Sequence, residues 1–462
     1  MIFIHHILTI VDDIVWGPLM MALLIGTGIY LTFRLSGVQA RKFVYAFRLI
    51  TKRKEEGRGD ISPFRALMTS LSGTIGTGNI AGVGTAISLG GPGALFWMWL
   101  TAIVGMATKF VECTLALHFR KELPDATMIG GPFYYLERGL KNPQLGLVLG
   151  MAFAAFGILS SFGIGNMAQA NSVSLALNDT FHIPGIVTGL LLTFAVGLVV
   201  IGGIKRLGYV AGNMVPFMAT LYILAAMVVL ILNYENIPGA FLLIIESALS
   251  GQAAVGGFAG ATVASAVRLG IARGVFSNEA GLGSAPIAHA TAKTTHSVRQ
   301  GLIAMLGPFI DTIVVCSLTG LVIVSTGAWE TGKTSTSLSI YAFNSQIGYA
   351  GDLIITFGLV LFAFSTILTW SFYGKQCLSY FVEKLSGDVG FYRVFLRVYY
   401  SVFLVGIVIG TSVVDFPKAA TDLVDIWLFS DITNALMAIP NLIGLLLLNK
   451  IVVGLLKDYF KS

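Results

Sequence analysis

Long stretches of this chain carry no Asp, Glu, Lys or Arg: residues 15 to 33, 66 to 108, 142 to 178, 180 to 204 and 207 to 234. A helix of about 20 largely apolar residues covers the hydrocarbon core of a bilayer, so each run predicts at least one membrane crossing. The run from 66 to 108 has room for two, and the Gly90-Gly91-Pro92-Gly93 turn divides it into helices near 66 to 90 and 92 to 117. Further apolar segments, some holding a few charges, lie near 240 to 270, 301 to 326, 351 to 383, 393 to 415 and 420 to 449. The pattern therefore predicts an all-α polytopic membrane protein with eleven transmembrane helices, in one domain covering residues 1 to 462.

Composition agrees with the pattern. Only 11% of the residues are charged against 55% hydrophobic, and the mean hydropathy is +0.83. A soluble domain carries about 25% charged residues, so the apolar surface must face lipid. Basic residues are retained on the cytoplasmic side of short loops. With the N-terminus outside, eleven crossings put 27 of the 29 Lys and Arg residues inside, leaving Lys333 and Lys418 outside. This predicts a multi-pass cell-membrane protein with a cytoplasmic C-terminus. The net charge of +6 then reports topology and contact with anionic lipid. Nucleic-acid binding is a poor reading, because the basic residues are spread over six segments, and no obligate protein partner is evident. Cys113, Cys316 and Cys377 all sit in apolar stretches and read as buried hydrophobes. Asp12 and Asp13, with no basic region before the first apolar run, argue against a cleavable signal peptide.

With 15 to 33 set aside as an accessory helix, ten crossings remain, and they divide into two oppositely oriented sets of five at 66 to 234 and 240 to 449. Inverted repeats of this kind place a binding site at mid-membrane, where the first helix of each half is interrupted. The first of these helices contains Ser72-Gly73-Thr74-Ile75-Gly76-Thr77-Gly78-Asn79, and its counterpart has Gly251, Gly256, Gly257 and Gly260 around Phe258. Each glycine weakens a helix interior by about 1 kcal/mol relative to alanine. Unwound backbone survives in hydrocarbon only where it lines a protein-buried or aqueous cavity. The N–H groups of Thr77 and Gly78, at the positive end of a half-helix, suit a carboxylate; carbonyls just before them suit a small cation. Close packing of small residues is the alternative reading and fits Gly82 and Gly84 best. A second polar cluster, Ser365-Thr366 with Trp370 at i+4 from Thr366, lies deep in the 351 to 383 segment.

The stretch GGPGALFWMWL at 90 to 100 resembles the signature of the alanine or glycine:cation symporters, and RGVFSNEAGLGSAPIAHA at 273 to 290 resembles their other strongly marked segment. The resemblance covers essentially the whole chain. It implies a LeuT-type five-plus-five inverted repeat with an extra N-terminal helix, carrying small neutral amino acids by symport with Na+ or, in some members, H+. It also implies a substrate site at Gly76, Thr77, Gly78 and Asn79. The cation site it implies takes the carbonyls of Ser72, Ile75 and Phe362 and the hydroxyls of Ser365 and Thr366. No cofactor beyond the coupling ion is implied. Gln169 departs from some LeuT-type relatives, and its amide is a better substrate contact than that of Asn166. A pocket of Phe258, Trp370 and glycine backbone leaves little side-chain volume, which favours alanine and glycine by about 10 to 200-fold per methylene of misfit.

Two enzyme-like patterns fail on context. Gly327-Ala328-Trp329-Glu330-Thr331-Gly332-Lys333-Thr334 spells a P-loop, but it follows a membrane helix with no soluble domain around it. Gly76 to Ala81 fits a dinucleotide fingerprint inside a membrane span. The six histidines are too dispersed for a metal site, and no nucleophile and base assemble at usable spacing, so the chain does not read as an enzyme. Asp311 and Glu246 lie within spans and are candidates for proton coupling or structural bonding. Lys109 and Glu112 read as a paired anchor. The polar segment 271 to 298 is expected along the inner face, where Arg273, Asn278, Glu279 and His289 could lock a gate.

Overall fold

Apolar runs punctuated by glycine and proline become helices joined by short turns. The computed structural model describes residues 2–51, 57–123, 126–250, 263–386, 389–415 and 420–461. In chain order the helices used below are α1 (Ile2–Val15), α2 (Pro18–Arg34), α3 (Phe43–Thr51), α4 (Pro63–Thr74), α5 (Ala81–Gly90), α6 (Ala94–His118), α7 (Pro143–Phe162), α8 (Ala168–Phe181), α9 (Gly185–Val200) and α10 (Gly203–Leu232). They continue with α11 (Ile237–Ser250), α12 (Val263–Asn278), α13 (Ala285–His289), α14 (Ser297–Ala304), α15 (Ser317–Ser325), α16 (Ser335–Ile347), α17 (Tyr349–Leu385), α18 (Val389–Ser412) and α19 (Ala420–Tyr459). A two-residue hairpin pairs Lys121 with Ile129 and Glu122 with Met128.

Among the described residues, eight stretches are long and apolar enough to cross a membrane: His5–Arg34, Ala94–His118, Pro143–Phe181, Gly203–Leu232, Ser297–Ser325, Tyr349–Leu385, Gly390–Asp415 and Asp425–Tyr459. Three expected crossings are not among these eight. The first is split into α4 and α5, the second is the 16-residue α9, and the third is flanked by α11 and α12. Phe258 and the glycines around it belong to 251–262 and lie outside the described residues. On α9, Leu190, Leu191 and Phe194 are 60 to 68% exposed. Apolar exposure on that scale costs roughly 25 cal/mol per Å² in water, so these side chains face lipid in a multi-pass membrane protein.

Two differences from the sequence reading have clear causes. The N-terminal helix begins near residue 2 rather than 15 and kinks at Gly17-Pro18; its first half packs on α19, where His5 meets Asp425 at 2.7 Å. The segment 271 to 298 does not lie along a surface: residues 274 to 292 are buried. Its polar groups are satisfied inside the protein, as hydropathy alone cannot see. Asn278 donates to Thr312 at 3.3 Å, and His289 Nδ1 meets the Gln300 amide at 2.8 Å. Arg273 pairs with Asp431 of α19. Small residues allow the burial: a Cβ on Gly270 would lie 2.4 Å from the Ala94 carbonyl, and one on Gly274 2.3 Å from Thr101 Oγ1, so α12 rides directly on α6.

Candidate functional site

The first core helix starts where Ser62 accepts the Arg65 N–H and Pro63 takes the first turn. It stops at Thr74. Ile75 is extended, Gly76 sits at φ −139° and ψ −149°, one tight turn covers Thr77–Asn79, and α5 resumes at Ala81. Every residue from Leu71 to Ala81 is buried. The broken backbone is therefore enclosed by protein, the condition under which it is tolerated at membrane depth.

The freed N–H groups find side chains. Gly76 donates to Asn79 Oδ1 at 2.9 Å, and Thr77 donates to Gln169 Oε1 at 3.1 Å. The expectation that the Thr77 N–H is free is thus corrected: an amide oxygen holds it, because a donor left empty in a buried site costs about 1–3 kcal/mol. Gln169 is aimed there by one π-turn at Gly163–Met167 and by its own donation to the Ile164 carbonyl at 3.0 Å. Asn166 points elsewhere, to the Phe403 carbonyl. Gly76 is wedged between the two clusters, since a Cβ would stand 2.5 Å from Thr366 Oγ1 and 3.1 Å from Gln169 Oε1. Gly78 packs on Phe276 and Ser277 of α12. The Thr77 hydroxyl is buried without a hydrogen-bond partner among the described residues. Gly84 is a packing glycine, its Cβ position 2.3 Å from the Ser335 carbonyl; Gly82 meets nothing closer than 4.0 Å.

Oxygens gather on the other side of Gly76. The Ser72 carbonyl accepts from Ser365 Oγ at 3.2 Å and Thr366 Oγ1 at 3.1 Å. The same two hydroxyls reach the Phe362 carbonyl at 2.9 and 3.0 Å. Ser72 Oγ returns a bond to the Ser365 carbonyl at 2.8 Å. Four of the five groups expected around a cation therefore share one hydrogen-bonded cluster between α4 and α17, and Ile75, the fifth, is buried one residue before Gly76. Back-bonding to an i−4 carbonyl is an ordinary habit of membrane threonines; the shared Ser72 carbonyl on a second, broken helix is not explained by it.

Two carboxylates join this site, and their partners were not legible from spacing. Asp311, in a π-helical stretch at Phe309–Cys316, accepts from Asn79 Nδ2 at 2.7 Å, Ser277 Oγ at 2.8 Å and Thr312 Oγ1 at 2.7 Å. Glu279, with φ +55°, accepts the Trp370 indole N–H at 2.9 Å and the Ser284 hydroxyl. Trp370 is fully buried and lies against Gly165. The expected Lys109–Glu112 pair does not form: Glu112 takes the Gly281 N–H and the Asn441 amide, while the Lys109 ammonium has no hydrogen-bond partner among the described residues. The P-loop lookalike runs from a helix, α15, through a short 3₁₀ turn at Ala328–Thr331, with no strand before it.

A helical multi-pass fold with a protein-enclosed helix break is that of a membrane transporter, and known proteins agree. The chain belongs to the sodium:alanine symporter family, whose model matches residues 1–462. It is 48% identical to the sodium/alanine symporter AgcS of Methanococcus maripaludis, over 97% of this chain and 96% of that one. It is 38% identical to a probable sodium/glutamine symporter of Bacillus subtilis, GlnT, over 99% of this chain and 91% of that one. Among solved structures, a manganese transporter of Eremococcus coleocola superposes with a TM-score of 0.54 at 13% identity, covering 83% of this chain and 78% of that one. That likeness extends to the fold alone. The protein is a transporter, not an enzyme.

Proposed function

We propose that the protein imports small neutral amino acids, alanine and glycine, by symport with Na+ through alternating access. The observation that carries this reading is the Ser72 carbonyl, shared by Ser365 and Thr366 at the edge of a protein-enclosed helix break. Neutral carbonyl and hydroxyl oxygens can replace the hydration shell of Na+ without adding formal charge at mid-membrane. Ser72, Ile75, Phe362, Ser365 and Thr366 form that site. Beside it, the substrate carboxylate displaces Gln169 Oε1 from the Thr77 N–H, one oxygen acceptor replacing another. Gly76, Thr77, Gly78, Asn79, Gln169, Phe258 and Trp370 form the substrate site. A pocket closed by Trp370 and glycine backbone favours alanine over glutamine, as does the higher identity to the alanine symporter.

The architecture that serves this cycle is eleven crossings, with 15 to 33 accessory and the repeats 66 to 234 and 240 to 449 in opposite orientation, N-terminus outside and C-terminus cytoplasmic. Na+ organises the broken helix, amino-acid affinity rises, and joint occupancy lets one bundle rock against the other. A second reading, H+ coupling of the same substrates, is favoured by one observation: the buried Asp311 carboxylate bonded to Asn79. Uptake of labelled alanine into proteoliposomes separates the two. The Na+ reading expects accumulation under an inward Na+ gradient and none under a pH gradient with Na+ absent; the reverse outcome assigns the coupling to H+.

A further inference from the structure

Away from the helix break, a cleft of about 280 Å³ opens where two membrane-spanning stretches terminate together, one at Arg34 and the other at Tyr459. Four cations line it, Arg34, Arg41, Lys42 and Lys457, and no acidic side chain among the described residues does. The Lys42 ammonium lies 3.7 Å from the centre of the Phe460 ring, and Arg34 Nε donates to the neutral amide oxygen of Asn449 at 3.2 Å. Both contacts hold a cation in place without neutralising it, and none of the four forms an ion pair among the described residues. The rest of the lining is largely apolar, with Leu35 and Val38 just past the end of the first of these stretches and Val453 and Leu456 from the second. Next to the cleft, the short helix α3 turns Val44, Tyr45 and Phe47 outward, as a helix lying in the membrane interface does.

We propose that this cleft binds the headgroup of an anionic phospholipid, the phosphate diester among the four cations and the glycerol and first methylenes along Val453 and Leu456. Four like charges without counter-ions among the described residues, set at the level where spans end and interleaved with apolar lining, match a group that is anionic at one end and apolar at the other. Inorganic phosphate would satisfy only the cations. The lipid also bridges the end of α2 to the end of α19, and so ties the accessory helix to the last helix of the bundle.

The test uses the purified full-length protein, delipidated in a neutral detergent, with phosphatidylglycerol, phosphatidylcholine and soluble glycerol phosphate as probes. Native mass spectrometry should find one tightly held phosphatidylglycerol per chain, and the thermal unfolding midpoint should rise with that lipid alone. The triple variant Arg41→Gln, Lys42→Gln, Lys457→Gln should bind it on the order of 100-fold more weakly, at about fivefold per cation. Lys457→Gln alone, at an exposed position, should lose about fivefold and serves if the triple variant does not fold. The charge-keeping pair Arg41→Lys, Lys457→Arg should retain the lipid. The proposal is overturned if the neutralised variants hold phosphatidylglycerol as the parent does, if phosphatidylcholine binds equally, if glycerol phosphate reproduces the stabilisation, or if the charge-keeping pair loses the lipid.

Discussion

Thr366 touches both halves of the proposed chemistry: its hydroxyl bonds to the Ser72 and Phe362 carbonyls, and it crowds Gly76. Thr366→Ala should raise the Na+ concentration for half-maximal uptake by about tenfold, the worth of one hydrogen bond of about 1.5 kcal/mol at most, while Thr366→Ser should restore it. A Na+ activation curve of alanine uptake reads this; unchanged Na+ dependence removes Thr366 from the cation site. Asn79 has a different task. It holds the Gly76 N–H with one end and Asp311 with the other. Asn79→Ala orphans both, and alanine binding should weaken by about 10 to 100-fold, as for hydrogen bonds to charged groups worth 1.5–3 kcal/mol. The glycine-rich run from Ser72 to Asn79 marked the stretch in which the helix breaks, because glycine leaves a local signature. The bond from Glu279 to Trp370 left none, since the two are 91 residues apart and only the fold brings them together.

Helix α12 shows how far hydropathy reaches at the scale of an element. A span ending near 270 was expected, yet the helix runs to Asn278 and the following turn stays inside, because Asn278, Glu279 and His289 each find an internal partner. Hydropathy registers a polar side chain but not the group that satisfies it. Contact with α6 depends on Gly270 and Gly274, where no side chain fits. Gly274→Leu should force the two helices apart and lower the thermal unfolding midpoint in detergent, at a cost of about 1–3 kcal/mol for overpacking. An unchanged midpoint would mean the interface is looser than these distances allow. The same reasoning separates Gly84, which is pressed on Ser335, from Gly76, which is pressed on the polar clusters.

At the scale of the molecule, the charge bias and the helix count support one another, since a missed crossing would scatter the basic residues across both faces. The proposed orientation puts Lys333 outside. Lys333→Cys should react with a membrane-impermeant maleimide on intact cells, and the parent should not, because Cys113, Cys316 and Cys377 are buried. Labelling only after the membrane is opened would reverse the orientation. The central claim is that one helix break holds substrate and ion as neighbours. Linkage then requires that each tighten the other by the same factor. The direct measurement is equilibrium binding of labelled alanine to the purified protein in NaCl and in choline chloride of equal ionic strength, paired with radioactive Na+ binding with and without alanine. The expected result is a higher alanine affinity in Na+, with the same factor appearing in Na+ affinity when alanine is present. Equal alanine affinity in the two salts would contradict the account.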